Sequence, residues 1–350
     1  MSSDHMPPLF LTWTDLGRLL DLWASVGRVY VPVTRAGYRH WRHYDPSAPL
    51  LPELDGIRAV EPMKAFYFHV KEPVAAYPSD IIDVLAEEPP FFVVGAKNCD
   101  LRSVECLDHT FARGQKKDPF WVTRREKAVI VGADCSNPPS TCFCTLLGMN
   151  PYPESVCDLS VAVVSDGLLV DVWTEKGQCA LERAEISLAE ASSEQLAERE
   201  TNRQHAREAV VEQNKRYETS SPFSELVARN FDSPAWIKYV GRCREDAACL
   251  AVCPTCHCFV LYDEKTEAEE GGERVRVWDF CYLRGYTRCG GGHSARAIGN
   301  DRFKNKYVKK FQFYPAQFGM PACTGCGRCI EACLAKIDMR QVLNDLEAES

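Results

Sequence analysis

The segment CTGCGRCIEAC places Cys323, Cys326, Cys329 and Cys333 at the spacing C-x2-C-x2-C-x3-C. Three thiolates at intervals of three curl one loop around an iron–sulfur cube and hold three of its irons. The fourth, at the start of the following helix, points away and ligates a second cube. Gly325 and Gly327 suit a tight loop whose backbone N–H groups approach sulfide closely. A structural zinc site would instead show pairs of C-x2-C separated by about 15–20 residues, which this run does not. Upstream, Cys243, Cys249 and Cys253 hold the first, third and fourth positions of a second copy, with Pro254 following and Asp246 in the second position. Exchanging the remote cysteines gives cluster 1 on Cys243, Asp246, Cys249 and Cys333, and cluster 2 on Cys323, Cys326, Cys329 and Cys253. Two 4Fe-4S clusters are therefore expected. A carboxylate oxygen is a harder ligand than thiolate, so the iron beside Asp246 is the most exchangeable. That site is Asp-ligated, or a three-iron 3Fe-4S cluster, or an open iron with Asp246 turned to solvent.

The chain carries 18 cysteines in 350 residues, and the two clusters use seven. A disulfide scaffold belongs to short exported chains, and inert buried thiols would be scattered rather than grouped. Cys99, Cys135, Cys142 and Cys144 each fall at the C-terminal end of an apolar run or in the loop after one, where a sheet presents ligands. A third iron–sulfur cluster on this quartet is one expectation. A trio of Cys256, Cys258 and Cys281, completed by His257 or His293, is the alternative, and buried thiols without metal are the third. Cys106, Cys157, Cys179 and Cys289 are read as packing thiols, and His69 and His109 as structural. Cys99 beside Asp100, with Cys144 near, would suit a reactive thiol, but nothing in the sequence supplies its base. No catalytic residue is assigned.

The elements that position these residues are legible in outline. Leu16, Leu19, Leu20 and Trp23 recur at helical spacing, while FFVVGA (91–96), AVIVGA (128–133) and LSVAVV (159–164) are apolar runs of strand length. Ser165-Asp166-Gly167 between LSVAVV and LLVDVW predicts a hairpin. Pro138-Pro139, Pro151 and Pro153 bracket Cys142 and Cys144, which predicts a loop. The stretch 187–219 is polar, lacks proline and glycine, and places Glu212 one turn before Arg216, as a solvated helix would. The expected fold class is α+β: a mixed α/β domain over 1–186, a charged helical bridge over 187–221, and a ferredoxin-like domain with two cubane-type clusters over 222–350. The bridge reads equally as a surface helix of one large domain.

With 45% hydrophobic and 26% charged residues and a net charge of −8, the composition is that of a globular protein rather than a general nucleic-acid binder. No run approaches 18 apolar residues, so no membrane span is expected. The start MSSDHMPPLFLTWTDLG lacks the basic and apolar regions of a secretory signal, and metal-ligating thiols point to the cytoplasm. The stretch 301–315 interleaves five basic residues with aromatics, as single-strand binders do. On a helix Phe303, Tyr307 and Phe311 share one face and pack inward, which leaves the lysines to water or an acidic partner. An iron–sulfur nucleic-acid-binding protein is thus the minor alternative. No G-x-G-x-x-G follows a strand, so no dinucleotide site is expected, and the glycines at 290–292 lack the third spaced glycine.

CREDAACLAVCPTCHCF, WDFC (278–281), GGGH (290–293), FQFYPAQFG and CTGCGRC together resemble the iron–sulfur β subunit of cytoplasmic sulfhydrogenases, the NAD(P)-linked nickel–iron hydrogenases. They are similar also to the corresponding iron–sulfur subunit of the anaerobic, NADH-linked sulfite reductase. The resemblance continues through NCDLRSVECLD (98–108), RRE (124–126), Cys135 and CFC (142–144), so it covers the chain from about residue 64 onward. Asp246 in place of cysteine and Leu334 in place of proline are departures. The resemblance implies a non-catalytic electron relay that links a flavin NAD(P)H-binding subunit with a catalytic metal subunit, nickel–iron or sirohaem.

Overall fold

The computed structural model describes residues 6–77, 85, 88–183, 186, 188–265 and 271–349. Its strands are β1 (Leu9–Leu11), β2 (Arg28–Arg35), β3 (Tyr38–His43), β4 (Lys71–Tyr77), β5 (Phe91–Ala96), β6 (Ala128–Ala133), β7 (Leu159–Val164), β8 (Gly167–Val172), β9 (Ala189–Glu190), β10 (Phe259–Lys265) and β11 (Gly272–Trp278). Eight of them form a sheet in the order β3-β2-β5-β6-β7-β8-β1-β9. Its centre, β2-β5-β6-β7, is parallel, and its flanks are antiparallel.

Every residue of β5 and β6 is buried, which is why these strands read as unbroken apolar runs: parallel strands are covered on both faces. Alternate side chains divide between two cores. Phe92, Val94, Val129 and Val131 pack with Leu16, Leu19, Leu20 and Trp23 of the helix Trp13–Val26. Trp23 stacks on Phe92 with ring centroids 5.0 Å apart. Phe91, Val93, Ala128 and Ile130 pack with Leu101, Val104 and Leu107 of the helix Asn98–Phe111. The strands and hairpin expected from sequence coincide with β5 to β8, with Val164 opposite Gly167 across the turn.

The helix Ser193–Asn214 begins with a capping box of Ser192 and Gln195. It is mostly solvated, but one side is tied to the sheet, since Arg203 pairs with Asp134 at 2.7 Å and Arg199 with Asp171 at 3.1 Å. Its last residues reach the cysteine loop, where Gln213 Nε2 and Asn214 Nδ2 each donate to the Cys142 carbonyl at 2.8 Å. The expected partnership of Glu212 and Arg216 is replaced: Glu212 pairs with Lys215, and the Arg216 guanidinium lies over the Tyr217 ring. The chain leaves the α-helix at Asn214 for a tighter turn over Lys215–Tyr217, which moves Arg216 off the i, i+4 position. Ser187, where the expected bridge begins, lies outside the described residues.

The remaining strands form an antiparallel sheet β10-β11-β4, in which a strand from the N-terminal region pairs with one from the cysteine-rich region. Glu72 on β4 binds Arg276 on β11 at 2.6 Å and Arg124 at 2.7 Å. Trp236, Phe303, Tyr307, Phe311, Leu343 and Leu346 belong to the core of the C-terminal region. The aromatic stripe over 301–315 is therefore inward, as expected, but its lysines depart from expectation. Lys304, Lys306 and Lys310 are buried and only Lys309 is exposed. The segment is covered on more than one side: Lys306 and Lys310 face thiols, and Lys304 donates to the Phe231 carbonyl at 3.2 Å.

Candidate iron–sulfur site

The two cysteine loops share one backbone path. Gly325 and Gly327 adopt φ values of +60° and +74°, and the equivalent Glu245 and Ala247 adopt +53° and +60°. This left-handed region costs a residue with a Cβ about 1–2 kcal/mol. Two such residues so close together mark a path imposed by a site rather than by local preference. Each loop runs into a single helical turn, Ala248–Ala251 and Arg328–Glu331, and these turns contact each other. The glycines have a further reason to be present. A Cβ on Gly325 would lie 2.5 Å from the Cys144 nitrogen, and one on Gly327 would lie 2.6 Å from Thr141 Oγ1. The loop carrying Cys142 and Cys144 is pressed against them, and the Phe143 N–H donates to the Gly325 carbonyl at 2.8 Å.

The thiols of the two loops gather close to one another. Cys323, Cys329 and Cys253 are within electrostatic reach of one another, with Cys326 beside Cys329. Cys243, Cys249 and Cys333 form the second set. The sets adjoin, because Cys249 of the second also faces Cys253 and Cys329 of the first. Among the described residues, no three Cys, His, Asp or Glu side chains converge on a single metal ion. A wider spread suits a cube that takes one thiolate per iron. Burial pushes the Cys323 and Cys329 thiols up to about 12, so a metal must displace their protons before they can ligate.

Asp246 stands at the position of Cys326 in the other loop, yet it is exposed, and its Oδ1 accepts the Ala248 N–H at 2.9 Å. The carboxylate thus accepts a backbone N–H just ahead of the helical turn. Asp246→Cys is expected to supply a fourth thiolate, so that cluster 1 keeps its iron under a chelator that depletes the parent protein. The lost side-chain hydrogen bond costs about 1 kcal/mol. Unchanged iron content and unchanged electron paramagnetic resonance spectra would show that this position does not face an iron.

Cys99, Cys135, Cys142 and Cys144 line one small cavity of about 20 Å³, together with Cys326, Arg58 and Lys97. Cys99 lies in the first turn of the helix after β5, and Cys135 lies just beyond β6. The quartet thus sits at the carboxyl edge of the parallel strands, where open α/β sheets place ligands. The Cys142 thiol donates to the Cys326 carbonyl at 3.6 Å, so this cavity backs directly onto the CTGCGRC loop. Burial pushes the Cys144 thiol up to about 12.

The alternative trio is also gathered. Cys256, Cys258 and Cys281 line a separate open pocket with His257, and the Cys258 and Cys281 thiols hydrogen-bond each other. His293 is exposed in the glycine-rich turn and is not part of that pocket. Cys106 and Cys157 are packed in cores as expected. Cys179 and Cys289 are exposed instead, one on the outer face of the helix Glu175–Glu182 and one at a turn.

Buried cations are the part of the site that sequence reading missed. Arg58 Nε donates to the Cys326 carbonyl at 2.6 Å, and its guanidinium pairs with Glu331 at 2.8 Å. Lys97 Nζ donates to the Leu54 and Asp134 carbonyls, each at 2.6 Å. Arg328 pairs with Asp100 at 2.8 Å and donates to the Ala59 carbonyl at 3.0 Å. A signal existed for two of them: Arg328 lies inside the CTGCGRC motif, and Lys97 lies two residues before Cys99.

Residues 242–337 match the family described as a 4Fe-4S dicluster domain. The duplicated loops and their cysteine sets occupy this segment, so the C-terminal part of the chain is of the ferredoxin-like, iron–sulfur class. Along most of its length the chain is similar to sulfhydrogenase 2 subunit beta of Pyrococcus furiosus, with 29% identity over 323 residues, 92% of this chain and 93% of that protein. The resemblance to sulfhydrogenase β subunits is borne out by these matches, and so is the expectation of an electron-transfer iron–sulfur subunit. Among the described residues no helix is long and apolar enough to cross a membrane.

Proposed function

We propose that this chain is the electron relay of a cytoplasmic, anaerobic oxidoreductase complex, linking a flavin NAD(P)H-binding subunit with one that holds a catalytic metal. Cys243, Cys249 and Cys333, with Asp246 beside them, hold cluster 1. Cys323, Cys326, Cys329 and Cys253 hold cluster 2, and Cys99, Cys135, Cys142 and Cys144 hold a third. The observation that carries the reading is continuity: the first thiol set adjoins the second, and the second loop lies against the quartet through Gly325, Cys326 and Cys142. When bound, iron–sulfur clusters supply one-electron carriers whose potentials follow burial and hydrogen bonding to sulfur. The chain's contribution is to bury the thiols, exclude water from them and fix their spacing.

Anaerobic affinity purification from the native host, with metal analysis of the co-purifying subunits, tests this reading. Nickel with flavin is the expected result and places the relay in a sulfhydrogenase-type complex. Sirohaem without nickel would move the chain to the sulfite-reductase type, and retention on single-stranded nucleic acid without redox partners would overturn the relay. On the purified full chain, Cys142→Ser is expected to lower the iron content while leaving the spectra of clusters 1 and 2 in place. Unchanged iron would remove the third cluster.

A further inference from the structure

Lys306 and Lys310 stand one turn apart on the segment that passes from the helix Gly299–Val308 into the π-helical turn Lys309–Phe313. Both are buried, at 7% and 5% exposure. Lys310 Nζ spends its three donors on Cys253 Sγ at 3.2 Å, Thr255 Oγ1 at 2.7 Å and the Ala322 carbonyl at 2.9 Å. Thr255 Oγ1 donates to the same carbonyl at 2.7 Å, so the network is complete and rigid. Lys306 faces Cys249 and Cys329, one thiol from each set. Among the described residues neither ammonium has a carboxylate within ion-pair distance, in contrast to Lys304, which has Asp232 at 3.8 Å. A buried, unpaired cation is costly, so the counter-charge has to come from the thiols themselves, as the thiolates that ligate iron.

We infer that Lys306 and Lys310 form a cationic rail that sets the reduction potentials of the two C-terminal clusters, Lys310 acting on cluster 2 and Lys306 on both. The inference rests on the two-cluster reading above. A fixed positive charge in a low-dielectric surrounding favours the form carrying one more electron, so each lysine raises the potential of the cluster it faces. The arrangement also ranks the clusters: cluster 2 has both lysines, and cluster 1 has only Lys306 at its Cys249 edge. Electrons arriving in this chain therefore settle preferentially on cluster 2, the one adjoining the quartet. These lysines are positioning residues, since they act through the thiolates and touch no substrate.

The test is a redox titration of the purified full chain followed by electron paramagnetic resonance, with iron counted in parallel. Two signals with full iron in the parent protein establish the two-cluster reading first, and their absence defeats that reading rather than the rail. Lys310→Met is expected to move the cluster 2 midpoint to more negative potential and leave cluster 1 nearly unmoved, whereas Lys306→Met moves both. Lys310→Arg restores the cluster 2 value. Lys310→Gln keeps a donor without the charge and is expected to shift like the methionine variant, which holds the test open if methionine prevents iron loading. Unmoved midpoints in iron-replete Lys310→Gln and Lys306→Met would overturn the inference and leave both lysines with a packing role.

Discussion

Cys326→Ser is expected to abolish electron flow from NAD(P)H to the catalytic partner while leaving that partner's half-reaction with an artificial donor unchanged. Cys326 lies at the centre of the contacts, because its carbonyl accepts from Arg58 at 2.6 Å and from the Cys142 thiol at 3.6 Å. Both are backbone contacts that a serine retains, so the loop and its neighbours keep their places. What changes is the ligand: a hydroxyl oxygen is harder than thiolate and suits iron–sulfur ligation poorly. Cluster 2 is the middle member of the proposed series, with cluster 1 on one side and the quartet on the other, so no parallel route bypasses it. The check compares turnover from NAD(P)H with turnover from an artificial dye in the same assembled complex. Loss of both activities, with all subunits present, would show that this chain contributes to the catalytic step itself.

What was legible in the sequence follows from the range over which each signal acts. The strands β5 to β7 were visible because parallel strands buried on both faces need unbroken apolar runs, and the cysteine spacing was visible because one loop must wrap one object. The duplicated backbone was only half visible, since Glu245 and Ala247 give no hint of a left-handed path that Gly325 and Gly327 announce. Long-range charge pairing left no local trace. Lys306 and Lys310 share the amphipathic spacing of a solvated face, and only the fold reveals that their side of the helix meets thiols. The sharing of β4 with β10 and β11 was equally hidden, because an antiparallel partner nearly two hundred residues away in sequence leaves no mark on either strand.

Asp100→Ala is expected to destabilise the protein by about 3–5 kcal/mol, the cost of leaving one member of a buried ion pair uncompensated. Asp100 and Arg328 are 0% and 2% exposed, so solvent cannot screen them. They join the first turn of the helix after β5 to the helical turn that follows the second cysteine loop. Against a total of roughly 5–15 kcal/mol for a folded domain, the loss is large, and it falls where the quartet meets the CTGCGRC loop. Arg328 keeps its bond to the Ala59 carbonyl in the variant, which does not neutralise its charge. Removing both charges, as in Asp100→Leu with Arg328→Met, is expected to recover part of the loss, because neither charge then remains stranded. Anaerobic denaturant unfolding with iron counted at each point measures all three variants. A loss below about 1 kcal/mol in Asp100→Ala would mean that the pair behaves as a surface pair does, and that the two halves of the site are held together by packing at Gly325 and Gly327 instead.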